Sequence, residues 1–174
     1  MSFLICWSNR QAWNSAAMIG GGRWLDAPEL VSRGLDGPHG IRAALASAVS
    51  ADGLWFEGEN YHFFALRGLL LGVEFLRRGG PDLYAEPAAG PVLAALYVAP
   101  LKTVLPDLTL PARGDSPFGV SLLQPRFPEL WEVGRVRTGA PALEHLLAHL
   151  YSAGPAAGED VGMTELSEQE QNRP

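Results

Sequence analysis

Apolar residues recur along this chain at helical spacing, and strand-like alternation of apolar and polar positions is essentially absent. The longest helical stretch runs from about Glu59 to Arg78 and is followed by Gly-Gly-Pro. On its polar side Glu74 and Arg78 lie four residues apart, so they are expected to pair. Its apolar face is predicted to consist of Tyr61, Ala65, Leu69, Gly72 and Leu76.

Shorter helical stretches lie before and after the long one. A run of three glycines at 20–22 is expected to end the first of them. The chain is therefore predicted to be all-α, built from antiparallel helix pairs with short connections. The shorter predicted helices cover 9–22, 25–35, 37–49, 89–104, 124–135 and 140–152.

Length and composition fit a single globular domain. The chain has 174 residues, of which 47% are hydrophobic and 18% charged, so it can bury a sizeable core. Residues 153–174 are polar and acidic with little apolar surface to bury, and we expect them to be disordered. The predicted organisation is one domain over 1–152 and a disordered acidic tail over 153–174.

Charge and cysteine content exclude several classes of function. The formal net charge of −6, with 13 scattered Lys and Arg residues, argues against a nucleic-acid surface, although an acidic polysaccharide could bind where cations gather. No run approaches the roughly 20 apolar residues of a membrane helix. Cys6 is the only cysteine, which excludes an internal disulfide. The N-terminus lacks the pattern of a secretory signal, so the chain as written is expected to be cytoplasmic.

Polar side chains crowd at the start of the long predicted helix. They are Glu57, Glu59, Asn60, Tyr61 and His62. One interpretation is capping, because Glu57 or Asn60 could accept hydrogen bonds from the first turn, where negative charge also suits the helix dipole. The other interpretation is a functional site, and the sequence of this segment leaves both open.

Four segments between about Ser8 and Gly119 resemble the heparinase II/III and alginate-lyase superfamily, in its α/α-toroid domain. The most specific element is the core DGxWxEGxxYHFxAL with the downstream GDS. The family's earlier toroid helices and C-terminal β-sandwich are not found in this chain, so the resemblance implies an incomplete toroid, an arc of helix pairs with weak or no activity alone. The segments are "SNRQAWNSAAMIG", "LDGPHGIRAALASAVSADGLWFEGENYHFFALRGLL", "DLY" and "LPARGDSP".

The resemblance implies cleavage of uronic-acid polysaccharides by β-elimination. Asn9 matches the family Asn that contacts the uronate carboxylate, and an amide can donate there without ionising. Tyr61 matches the Tyr that acts as base, acid or both. A phenol with its ordinary pKa near 10 is a weak base at neutral pH, so a cation such as Arg10 would have to assist it. The alternatives are that Asn9 caps the first helix and that Tyr61 is a core aromatic.

Further residues are candidates for substrate binding. Arg10 stands where the alginate-lyase branch commonly has His, and it cannot accept a proton, which leaves Tyr61 with more of the chemistry. Glu57 and Glu59 are expected to orient the site or to bind a sugar hydroxyl. His62 points about 100° away from Tyr61, so it either assists or is a hydrogen-bonded core histidine. Arg113 is a candidate cation for an anionic chain.

No metal or cofactor is expected, because no set of His, Asp and Glu has a spacing typical of ligands. The expected partner is an acidic polysaccharide or oligosaccharide, and uncovered helix faces are expected to promote self-association. The alternative function is a non-catalytic helical module that binds acidic polysaccharide or a protein partner. The resemblance leaves the compartment open, since members of the family are often periplasmic or secreted.

Overall fold

The computed structural model describes residues 7–114 and 116–152, and the regular secondary structure of this part is helical. Within it there is no strand, only the isolated bridges Val49–Trp55 and Thr109–Ser121. The all-α prediction is therefore confirmed for the described residues. The helices are α1 (Asn9–Trp24), α2 (Pro28–Asp36), α3 (Ile41–Ser47), α4 (Glu59–Arg77), α5 (Gly90–Val98), α6 (Pro128–Thr138) and α7 (Pro141–Ser152), with short 3-10 helices at Leu83–Ala85 and Ala99–Lys102.

The predicted end of the first helix at the glycine run is wrong, because α1 continues to Trp24. A methyl group on Gly22 would lie 2.9 Å from Leu30 Cβ, and one on Gly20 would lie 2.8 Å from the ring of Phe75. Side chains at these positions would push the neighbouring helices away. The glycines therefore permit close packing of α1 against α2 and α4.

Helices α1 and α4 run side by side in the same direction. The Trp13 indole donates to the backbone oxygen of Phe64 (2.9 Å), and the Arg23 guanidinium donates to the backbone oxygen of Leu76 (2.9 Å). Residue numbers thus rise together along both helices, which defines a parallel pair. The N-terminal ends of α1 and α4 consequently lie at the same end of the molecule.

Helix α6 also runs parallel to α4, on another side of it. The Phe63 ring packs 4.2 Å from the Phe127 ring, near the start of both helices. Near their ends the Arg137 guanidinium binds both carboxylate oxygens of Glu74, at 2.7 and 2.5 Å. The expected pairing of Glu74 within its own helix is therefore replaced by an ion pair between helices.

The core lies around α4. The predicted apolar face of this helix is confirmed, since Ala65, Leu69, Gly72 and Leu76 are buried, and Tyr61 is half-buried against the core. Helix α2 returns antiparallel to α1: Gly22 of α1 is next to the start of α2, and Ser15 is next to Gly34 near its end. No helix in 7–114 or 116–152 is long and apolar enough to cross a membrane.

The predicted tail, 153–174, lies outside the described residues, as do residues 1–6 and Asp115 of the family-like GDS sequence.

Candidate functional site

A tight turn before α4 fixes the polar cluster in space. The backbone N–H of Gly53 donates to Ser50 O (2.9 Å), and that of Phe56 donates to Ala48 O (3.1 Å). The turn ends at Gly58, whose φ of +101° is unfavourable for residues with a side chain. This geometry places the preceding residue, Glu57, opposite the N-terminal end of α1.

The Glu57 carboxylate binds three N–H groups. Its Oε2 accepts from the backbone N–H of Asn9 (2.6 Å) and from the Trp55 indole N–H (2.7 Å). Its Oε1 accepts from the side-chain amide of Asn9 (3.3 Å). The expectation that Glu57 or Asn60 caps its own helix α4 is wrong, since Glu57 instead satisfies the first turn of α1, where a carboxylate suits the positive helix end.

Helix α4 receives its cap from a distant loop. The Ser116 hydroxyl accepts from the backbone N–H of Asn60 (2.8 Å), whereas Gly58, at the N-cap position, supplies no side chain. Ser116 was not predicted from the sequence as part of the site. It lies 56 residues from Asn60, and only the folded chain brings the two together.

Glu59 and Arg113 form an ion pair between the same loop and α4. The Arg113 Nε donates to Glu59 Oε1 (2.6 Å), and the Nη2 group binds the same oxygen. Glu59 is 1% exposed, whereas the Arg113 side chain is 50% exposed. Among the residues that the structure describes, none forms a hydrogen bond with the other, buried oxygen of Glu59. A buried carboxylate without a cation is costly, so the ion pair with Arg113 offsets the burial of Glu59.

The loop and the turn before α4 touch backbone to backbone. A side chain on Gly58 would collide with the backbone oxygen of Arg113, and a methyl group on Gly114 would lie 2.6 Å from the backbone oxygen of Glu57. Gly114 also has a positive φ of +60°. Two glycines, one from each segment, therefore allow the close approach that brings Arg113 to Glu59.

His62 is fully buried and both of its ring nitrogens are bonded to backbone. The Nδ1 atom accepts from the N–H of Trp55 (3.0 Å), and Nε2, 2.8 Å from Leu96 O, is then the donor of the neutral ring. Burial lowers the pKa of His62 to about 4. This placement agrees with the core-histidine alternative, and it leaves neither nitrogen open to a substrate in this structure.

The two remaining site candidates have different surroundings. Arg10 is exposed on the first turn of α1, directly after the buried Asn9. Tyr61 lies in the first turn of α4, half-buried against the core. Asn9 thus contacts Glu57, and Arg113 contacts Glu59, which is two residues further along the chain. Arg10 and Tyr61 lie in the first turns of the two adjoining helices.

Two phenylalanine rings in the turn and in the loop are exposed, whereas the tryptophans Trp7 and Trp55 are not. Trp55 and Trp7 are buried in the core, and Trp24, although 90% exposed, lies at the opposite end of α1. Phe56 in the turn and Phe118 in the loop are 54% and 94% exposed. Phe56 directly precedes the residues of the turn that contact the loop, and Phe118 follows shortly after the residues of the loop that contact the turn. Hydropathy alone did not distinguish these two exposed rings from core residues.

The described part of the chain brings together no group of three or more His, Cys, Asp or Glu side chains that could hold a metal ion. Its acidic groups near the site, Glu57 and Glu59, are instead bound by N–H donors and by a guanidinium.

No protein-family model, curated protein or solved structure matches the chain. The likeness of its motifs to the lyase superfamily therefore stays a hypothesis.

Proposed function

We propose that this chain is a polysaccharide lyase-like helical domain that cleaves uronic-acid-containing polysaccharide by β-elimination. The observation that carries the proposal is the meeting of α1 and α4 at their N-terminal ends. Asn9 lies in the first turn of α1 and Tyr61 in the first turn of α4, while Glu57 bonds to Asn9 across the junction. An amide donor and a phenol at adjoining helix ends are the groups that this reaction requires.

Two parallel helix N-termini suit an anionic substrate. Each carries partial positive charge from its aligned peptide dipoles, and the two add because the helices point the same way. Glu57 and Glu59 offset part of this charge. Arg10 and Arg113, exposed and half-exposed, add positive charge beside it. The local balance can thus favour an acidic sugar even though the whole chain is acidic.

The reaction assigns a role to each group. Tyr61, as phenolate, removes the proton on carbon 5 of the uronate, and the electron pair forms the double bond to carbon 4. The bond from carbon 4 to the glycosidic oxygen breaks, and the phenol returns the proton to that oxygen. Asn9 donates to the uronate carboxylate, where negative charge increases in the transition state. Atoms and charge balance without a cofactor.

The arrangement of helices supports the proposed arc of antiparallel pairs. Helices α1, α4 and α6 are parallel, and α2 returns antiparallel to α1, as expected for successive pairs in an α/α array. Self-association through uncovered apolar surface is part of the same proposal. It is supported by the exposed Trp24 and Leu25 at the end of α1, and light scattering at micromolar concentration tests it.

The decisive experiment measures elimination directly. The 174-residue chain is incubated with alginate, heparin and heparan sulfate, and the ultraviolet absorbance of the unsaturated product is followed. Tyr61→Phe keeps the ring and removes the hydroxyl, so it is expected to abolish the signal. Asn9→Ala removes one donor to developing charge, and we expect a loss of about 10²–10³ in rate.

Tyr151→Phe is the matched control, because Tyr151 lies on α7, is 61% exposed and donates its hydroxyl to Glu132, away from the candidate site. It should leave the rate unchanged. Thermal unfolding of each variant shows whether a lost signal reflects lost chemistry or lost structure. The resemblance implies weak or no turnover by the chain alone, so the incubation is repeated with the toroid helices and β-sandwich of the resembled family supplied. Absence of elimination on all three polymers under both conditions, or activity indifferent to Tyr61→Phe, contradicts the proposal.

A non-catalytic module that binds acidic polysaccharide is the second candidate. The observation in its favour is that Asn9 is only 6% exposed and already donates to Glu57, which limits its contact with a substrate. This function needs the cations and not the phenol. Binding of an acidic oligosaccharide should then weaken with salt and with Arg10→Ala or Arg113→Ala, and should be unaffected by Tyr61→Phe.

A further inference from the structure

We propose that Glu57 is a positioning residue, which determines the face of the Asn9 amide that meets the substrate carboxylate. The inference rests on the proposed function, and of the two roles expected for Glu57 it takes orientation of the site rather than binding of a sugar hydroxyl. Glu57 is half-buried, and its carboxylate accepts from both the backbone and the side chain of Asn9. It therefore acts through Asn9.

The chemistry of the carboxylate selects one orientation of the amide. An ionised carboxylate can only accept hydrogen bonds, whereas the Asn side chain has an NH₂ donor and an oxygen acceptor at similar positions. Contact with Glu57 Oε1 at 3.3 Å therefore holds the NH₂ group of Asn9, not its oxygen, at this location. One N–H of that group is used, and the second is the one that donates to the substrate carboxylate in the proposed reaction.

Glu57 can impose this orientation because it is itself held. Its Oε2 accepts from the indole N–H of Trp55 at 2.7 Å, and Trp55 is 1% exposed in the core. The backbone N–H of Asn9 binds the same oxygen at 2.6 Å. Donors from the core and from the first turn of α1 thus fix Oε2 of Glu57, and a carboxylate held at one oxygen limits rotation of the Asn9 amide that donates to the other.

Charge argues against a direct role of Glu57 in binding the sugar carboxylate. Two carboxylates in contact repel each other, so Glu57 would weaken the complex if it faced the uronate group. Turned towards Asn9, it instead leaves a neutral donor between the two negative charges. A Gln at position 57 could accept or donate, and it would allow the Asn9 amide to take both orientations.

The first experiment needs no activity. In the ¹⁵N-labelled full-length chain, the backbone N–H of Asn9, its side-chain NH₂ and the indole N–H of Trp55 are followed by NMR during an acid titration. All three donate to one carboxylate, so all should shift with a common midpoint. In Glu57→Gln the shared transition should disappear, and in Glu86→Gln, a control in an ion pair with Arg42 elsewhere, it should remain. Asn9 signals that do not follow the Trp55 signal overturn the proposal.

The second experiment measures elimination kinetics. For Glu57→Gln we expect kcat to fall about tenfold or more, because small misplacement of a reacting group is costly, while KM changes little. A merely structural role would lower the amount of folded protein and leave the kcat of the folded fraction unchanged, and that result overturns the proposal. If Glu57→Gln does not fold, Trp55→Phe removes the indole N–H, one of two donors to Glu57 Oε2, together with part of a buried ring. In the folded fraction it should produce a smaller fall in kcat with the same split.

The two proposals fail in different ways. Failure of the proposed function appears as absence of elimination both by the chain alone and with the supplied toroid helices and β-sandwich, and the NMR titration then decides the positioning role alone. Failure of the positioning role appears as a lyase whose kcat does not respond to Glu57→Gln.

Discussion

Helix α4 packs against α1 through small residues and against α6 through large aromatic ones. On the α1 side, a methyl group on Gly68 would lie 3.0 Å from the backbone nitrogen of Trp13, and one on Gly72 would lie 3.4 Å from the Cα of Ala16. On the α6 side, Phe63 contacts the rings of Phe127 and Trp131. The same helix thus approaches one neighbour closely and meets the other across a layer of rings.

The difference explains where the candidate site lies. Close approach of α1 and α4 brings backbone near backbone, so the Glu57 carboxylate reaches both the backbone N–H and the side chain of Asn9 at their N-terminal ends. At the α6 interface the helices are separated by aromatic rings, and two long side chains, Arg137 and Glu74, together span the gap. A carboxylate thus meets a helix backbone at the first interface, whereas side chain meets side chain in this ion pair at the second.

The largest expected effect tests the aromatic interface. Trp131 is fully buried and packs edge-on against Phe63 with ring centroids 5.5 Å apart. Trp131→Ala should lower the free energy of unfolding by about 3–5 kcal/mol, because it leaves a large cavity. Chemical denaturation measures this. Val136→Ala, on the same helix but 64% exposed, should change stability by less than about 0.5 kcal/mol. Equal effects would show that α6 is not packed as described.

On a third side of α4, His62 forms hydrogen bonds with the backbone of Trp55 and of Leu96. The pKa of this buried histidine is about 4 in the folded chain, below the value of 6.5 typical of an unfolded chain. Below pH 6.5 the unfolded state therefore binds a proton that the folded state does not. Stability should be greatest above pH 6.5 and fall by about 3 kcal/mol as the pH decreases to 4.

Urea denaturation at several pH values measures this dependence. His62→Gln should be less stable at neutral pH, because it cannot reproduce both backbone hydrogen bonds, but its stability should fall less steeply between pH 6.5 and 4. Carboxylates and other histidines contribute equally to both proteins. An identical slope in the two would contradict the assignment of a buried, neutral His62.

The smallest effect tests the close interface, through the same substitution at two helical glycines. Gly68→Ala should destabilise the chain by about 1–2 kcal/mol, because the methyl group presses on the backbone of Trp13. Gly21 also lies in α1, and a methyl group there would have no described neighbour within 4 Å. Gly21→Ala should therefore stabilise the chain by about 0.5–1 kcal/mol, because alanine has the higher helix propensity. Thermal denaturation should show shifts of opposite sign. Stabilisation by both would mean that α1 and α4 are not in close contact.

The long helix was predicted from sequence to within one residue. Its observed range, Glu59–Arg77, differs from the prediction by one residue at the end, because a strong apolar period and the following Gly-Gly-Pro both act locally. The predicted helix over 124–135 is observed at Pro128–Thr138, where proline in the first turn marks the start. The predicted helix over 89–104 is divided, with α5 ending at Val98 and a 3-10 helix following.

The sequence by itself determined the all-α class, the identity of α4 and its buried face, because period and helix-stop signals depend on neighbours within a few positions. Only the tertiary structure decided what the polar residues do. Glu57 binds Asn9 at a separation of 48 residues, and Arg113 pairs with Glu59 at a separation of 54. Such partners depend on which helix ends meet and on how closely the helices approach. In this chain, glycines allow the close approach. A glycine in a sequence can either permit close packing or end a helix, and the surface that packs against it decides which.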